Sequence, residues 1–161
     1  MRFPNGIREH LAKLLDWSDA HVSLNDAVAG LPARARGRIP KGLPYSPWQL
    51  VEHIRLAQAD ILEFCVNPRY EEKRWPADYW PETPAPPSPR AWNASLAQIR
   101  RDLRALQRLA ANRHRTLTAR VPAGEGQTVL RELLLAADHT AYHVGELIVV
   151  RRLLGNWPRR G

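Results

Sequence analysis

Residues 66–89, VNPRYEEKRWPADYWPETPAPPSP, hold seven prolines in 24 positions and show no helical repeat. Proline lacks an amide hydrogen and fixes φ near about −65°, so the stretch cannot simply continue a helix on either side. So long an irregular segment inside a small domain needs a structural reason. A link of about two to eight residues turns neighbouring helices antiparallel. A much longer one can travel back along a helix of about 30 Å and start the next helix parallel to the last. Trp75, Tyr79 and Trp80 within the segment are expected to pack it as a strap rather than leave it as a disordered linker.

Helical patterns flank the strap. Ile7, Leu11, Leu14, Leu15, Val22 and Val28 repeat at helical spacing and predict a first helix from about Asn5 to Ala29, stopped by Gly30 and Pro32. The second has the clearest start: in SPWQ, Ser46 is the N-cap, Pro47 the first helical residue and Gln49 the partner of a capping box. It runs to about Cys65, before Asn67-Pro68. The third begins at Ser88-Pro89, with Trp92, Leu96, Ile99, Leu103, Leu106 and Ala110 as its apolar stripe. Residues 118–127, TARVPAGEGQ, read as a loop. The fourth runs from about Thr128 to Leu154, before Gly155. It is apolar nearly all round and is expected to be the most buried of the four. The fold class is therefore all-α: one domain over 1–161, a four-helix bundle with a long crossover between helices 2 and 3.

The chain carries 24 basic and 16 acidic residues, a net charge of +8. A nucleic-acid footprint would gather those cations on one surface with aromatic side chains among them. Here the arginines are scattered over every expected helix and loop, which favours solvated helix faces and no nucleic-acid partner. No stretch approaches the roughly 20 uncharged apolar residues of a membrane span, and MRFPNGIREH lacks the apolar core of a signal peptide. A single cysteine, Cys65, excludes an intrachain disulfide and suits a cytoplasmic protein.

DHTAYHVGEL, residues 138–147, places His139 and His143 four apart. On a helix that spacing is about 40° of azimuth and about 6 Å of rise, so both rings can point at one atom. Their stripe continues through Ala136, Leu147, Val150 and Leu154 and faces inward. His53 lies on a second inward stripe, with Leu50, Ala57, Ile61 and Phe64. Buried imidazoles need partners for their ring nitrogens, and bundles build metal sites from such facing helices. Three protein ligands with open positions is the pattern of catalytic rather than structural metal centres. Position 140 is Thr, so the glutamate base of an HExxH zinc helix is missing. Glu146 is the candidate catalytic carboxylate, as a base or as the orienter of an imidazole. Either His21 or Glu146 would close the site as a fourth ligand. Asp138 and Glu52 point about 100° away from their histidine neighbours. Tyr142 and Trp48 line the pocket or belong to the core. His10 shares the face of His21, and His114 is solvated.

The sequences SPWQLVEHI at 46–54, GQTVLRELL at the start of the last helix, DHTAYHVGEL within it and RRLLGNWP at its end resemble the DinB/YfiT-like superfamily of four-helix bundle metalloenzymes. The resemblance spans essentially the whole chain. It implies an up-down-down-up bundle, a divalent metal, zinc or nickel most often, on His53, His139 and His143, and a homodimer. It also implies a small-molecule substrate. The reactions it suggests are S-transfer from a low-molecular-weight thiol such as bacillithiol, mycothiol or glutathione, metal-dependent hydrolysis or isomerisation, or a non-catalytic metal- or ligand-binding role in a stress response.

Overall fold

The computed structural model describes residues 5–158; the ends of the expected 1–161 domain, residues 1–4 and 159–161, lie outside it. Among the described residues the chain is all-helical, with no strand: α1 (Asn5–Leu14), α2 (Leu24–Val28), α3 (Pro47–Val66), α4 (Pro89–Ala111) and α5 (Val129–Leu153).

Local chemistry sets the starts of the long helices. The Ser46 hydroxyl accepts the Gln49 amide at 3.1 Å while the Gln49 side chain accepts the Ser46 amide at 3.1 Å, so the capping box of α3 is complete. Ser88 caps α4 through the Ala91 amide, and Thr128 caps α5 through the Arg131 amide. The helix expected over Asn5–Ala29 is broken, ending at Leu14 and restarting at Leu24. Ser23 causes the restart: its hydroxyl accepts the Asp26 amide and donates to the Asp26 carboxylate at 2.8 Å. Asp16, Ser18 and Asp19 lie in the gap, short polar side chains that compete with the helical backbone.

The proline-rich segment is a strap along α3. Tyr70 packs on Phe64, and both Tyr70 and Tyr79 donate their hydroxyls to Asp60. Further on, Trp80 lies against His53, and the Ser46 hydroxyl donates to the Pro84 carbonyl. The partners on α3 thus fall from Phe64 to Ser46 as the strap advances. Further along the strap, Ala85 sits so close to Gly37 that a Cβ on Gly37 would meet the Ala85 Cα at 2.8 Å. Trp75 does not anchor the strap as expected: it is 72% exposed and touches Tyr79 rather than the core.

The core has two centres. Ile61, Cys65, Leu106 and Leu133 lead one; Leu50, Ile54, Trp92 and Leu147 lead the other. Trp48 belongs to the second, beside Trp92, and does not line the histidine pocket. Helix α5 is less buried than its composition suggests. Leu134, Leu135, Tyr142, Val149 and Leu153 are exposed, because its neighbours cover only one side. Among the described residues α5 alone is long and apolar enough to cross a bilayer, but its inner face is packed on α3.

Two arginines are not on solvated faces. Arg8 donates to the carbonyls of Ala110, Asn112 and Arg115, where α4 ends. Arg151 is 1% exposed and donates to Ala27, Ala29 and Asn156. A planar guanidinium can serve three carbonyls at once, which an ammonium on a flexible stem does poorly. Arg151→Ala is expected to lower stability by about 3 kcal/mol, roughly 1 kcal/mol for each lost bond, with Arg151→Lys recovering little. An unchanged urea midpoint would show that these bonds do not hold α2 to α5.

Candidate metal centre

His53 stands two turns into α3, at a height fixed by the Ser46 cap; His139 and His143 stand on successive turns of α5. The ring centroids are 4.7 Å apart for His53–His139, 4.5 Å for His53–His143 and 4.4 Å for His139–His143. One nitrogen from each ring lies within 4.8 Å of the others. The structure thus brings together the three histidines that the sequence singles out.

Hydrogen bonds on the outer edges orient the rings. Nδ1 of His53 is 2.8 Å from the Tyr79 carbonyl oxygen. A carbonyl only accepts, so Nδ1 carries the proton and Nε2 turns a lone pair inward. Nδ1 of His143 is 2.7 Å from Glu146 Oε2, and donation to that carboxylate leaves its Nε2 free in the same way. Nε2 of His53 and of His139 are 3.0 Å apart. Two nitrogens bound at about 2.05 Å to one tetrahedral ion would stand about 3.3 Å apart, so small ring movements suffice to place an ion between them. The donor set fits a divalent metal ion: all imidazole, with His53 and His143 held by carbonyl and carboxylate partners.

Electrostatics agree with ligand use. Burial first, and then the neighbouring rings, push His139 down to about 4 and His143 to about 4. Burial also lowers His53, against the opposing Tyr79 hydrogen bond. The rings are neutral near pH 7 and need shed no proton to take a cation. Burial holds Glu146 above the ordinary carboxylate range, partly offset by Tyr142 and His53.

Trp80 covers His53 with a parallel ring 3.9 Å away, and Tyr45 stacks on Trp80 at 4.3 Å. The histidines open on a cavity of about 730 Å³ whose mouth is lined by Trp75, Tyr142, Leu135 and Asp138. His21 is not there: it is exposed, bonded to its own neighbour's carbonyl, and lines a different cavity. His10 and His114 are exposed. Glu52 turns away as expected, but it is buried and paired with Arg55 at 2.8 Å rather than solvated. Sequence reasoning missed the Tyr79 carbonyl and the role of Asp60. A backbone acceptor leaves no mark in residue type, although the aromatic residues of the strap pointed to the segment.

Burial pushes the Cys65 thiol up to about 12, with Glu132 adding to the shift and Arg115 opposing it. Native protein is expected to resist iodoacetamide at pH 8 and to react once unfolded. Rapid labelling of the native protein would reopen Cys65 as a nucleophile.

An all-helical chain that aims three neutral imidazoles at one point, with a cavity above them, defines a class of helical proteins able to hold a divalent ion. The family model of the DinB superfamily matches residues 17–147, most of the chain, and the protein belongs to that superfamily. No curated protein and no solved structure matches it.

Proposed function

We propose that the protein is a metal-dependent enzyme that transfers a low-molecular-weight thiol to a small electrophile. The convergence of three imidazoles beneath an open cavity, two of them oriented by hydrogen bonds at Nδ1, carries this reading. Among the described residues no fourth protein donor joins the three, which leaves room for a substrate. His53, His139 and His143 would hold a zinc or nickel ion, and with neutral ligands that ion would supply its full charge to lower the pKa of a water or thiol. Tyr79 and Glu146 fix the rings of His53 and His143. Glu146, already the acceptor of the His143 Nδ1 proton, would act on a bound thiol through that imidazole rather than by direct contact. Trp80 and Tyr45 shield the back of His53 from water.

The test combines metal analysis of untagged protein with a screen of thiols against an aryl halide electrophile. Metal-dependent formation of the thioether supports S-transfer. Hydrolysed product without thiol incorporation would instead assign a hydrolase, and stoichiometric metal with neither reaction a binding protein.

We also read the helices as an up-down-down-up bundle. Trp48 beside Trp92, and Gln58 bonded to the Ile99 carbonyl, support a parallel α3 and α4. Arg8 at Ala110 and Gln107 at Ala12 support an antiparallel α1 and α4. A homodimer belongs to the same reading, with Val149 and Leu153 on α5 as its exposed apolar strip. Sedimentation equilibrium giving the monomer mass would exclude it.

A further inference from the structure

The cavity over the histidines has a consistent chemical character at its mouth. Trp75 is 72% exposed and Tyr142 is 64% exposed, large ring surfaces left open on the two sides that the strap and α5 supply. Singly exposed aromatic side chains are ordinary, but here two exposed rings line one pocket, while Trp80 deeper in it has its faces taken by His53 and Tyr45. Among the described residues no lysine or arginine lines this cavity. The strap's Lys73 and Arg74 are held by Asp60 and Asp78, each at 2.9 Å. The charged side chain in the lining is Asp138, exposed and without a salt bridge among the described residues. Ring faces and an unpaired carboxylate together attract an organic cation and disfavour an anion.

We propose that the mouth of this pocket takes the distal part of the substrate as an organic cation, a flat apolar group bearing an ammonium, with Trp75 and Tyr142 as its walls and Asp138 as its counter-ion. The inference rests on the enzyme reading above: the inner end of the substrate meets the histidines, and the cationic end stays at the rim. There the positive charge stands on the ring faces and the Asp138 carboxylate, away from the ion.

Calorimetric titration tests this with three probes of similar size: benzyltrimethylammonium, uncharged N-benzylacetamide and anionic phenylacetate. Each is titrated into zinc-loaded protein and into chelator-treated protein, the latter so that a carboxylate has no ion to ligate. The cation is expected to bind about tenfold more tightly than the amide in both forms, from two cation–ring contacts and one ion pair. In chelator-treated protein, phenylacetate is expected to bind more weakly than the amide. Asp138→Asn, an exposed change outside the histidine cluster, is expected to cut cation affinity about threefold to fivefold and leave the amide unchanged. Equal affinity for cation and amide, or a cation preference that Asp138→Asn does not reduce, would overturn the proposal. Cation selectivity in a protein that takes no zinc would sink the enzyme reading and leave this one standing; zinc binding without selectivity would do the reverse.

Discussion

Replacing His53 with alanine is expected to weaken zinc binding about 100- to 1,000-fold. Four-ligand zinc sites are worth about 10–16 kcal/mol, so one imidazole contributes about 3–4 kcal/mol. Among the described residues His53 is the one member of the histidine cluster from α3, and it faces both histidines of α5, with ring centroids 4.7 Å and 4.5 Å away. Without it a two-residue site on one helix remains, with no partner across the bundle. Competition against a chromophoric chelator at pH 7 reads the change, and His139→Ala and His143→Ala should fall in the same range. A loss under tenfold in all three variants would mean that zinc binds elsewhere. Histidines merely satisfying each other's hydrogen bonds in the core would give that result.

The second large effect lies one step out from the ligands. Asp60 is 7% exposed and accepts from Tyr79 at 2.6 Å, Tyr70 at 3.1 Å and Lys73 at 2.9 Å. These bonds fasten the strap to α3, and the strap carries the carbonyl that orients His53. Asp60→Ala strands two phenols and an ammonium, so a stability loss of about 3 kcal/mol is expected. Zinc affinity should fall by about 10- to 100-fold as well, the usual effect of losing an outer partner of a ligand. Tyr79→Phe removes one bond and should do less of both. Lys73→Ala, at a half-exposed partner, should change little. Urea unfolding of the zinc-free protein separates stability from affinity. A strap that hangs independently of the site would lose stability in Asp60→Ala and keep its zinc affinity.

The parts of this arrangement that were legible in the sequence share one property: each is a local pattern with a physical cause. The capping box at Ser46 and the proline after it set the start of α3 to the residue. The four-residue spacing of His139 and His143 put two rings on one face, and the stripe of Leu50, Ala57 and Ile61 turned His53 inward to meet them. The break between α1 and α2 was not legible from apolar spacing alone. The repeat of Leu14, Leu15 and Val22 continues across it, while the competing signal is a short Ser-x-x-Asp cap at Ser23. Arg151 shows a different limit. Nothing in its neighbours tells a solvated arginine from one that reaches the backbone of α2, more than a hundred residues away. The strap was expected as packing material; its use as the orienter of His53 depends on one backbone oxygen, which only the folded chain can place.

X-ray absorption at the zinc edge of stoichiometrically loaded protein tests the three-histidine site most directly. One zinc per chain with three imidazole nitrogens near about 2.0–2.1 Å, and a lighter fourth scatterer from solvent, is the expected spectrum. A sulfur shell near about 2.3 Å, which among these side chains points to Cys65, or a coordination shell with fewer than three imidazoles, would contradict it.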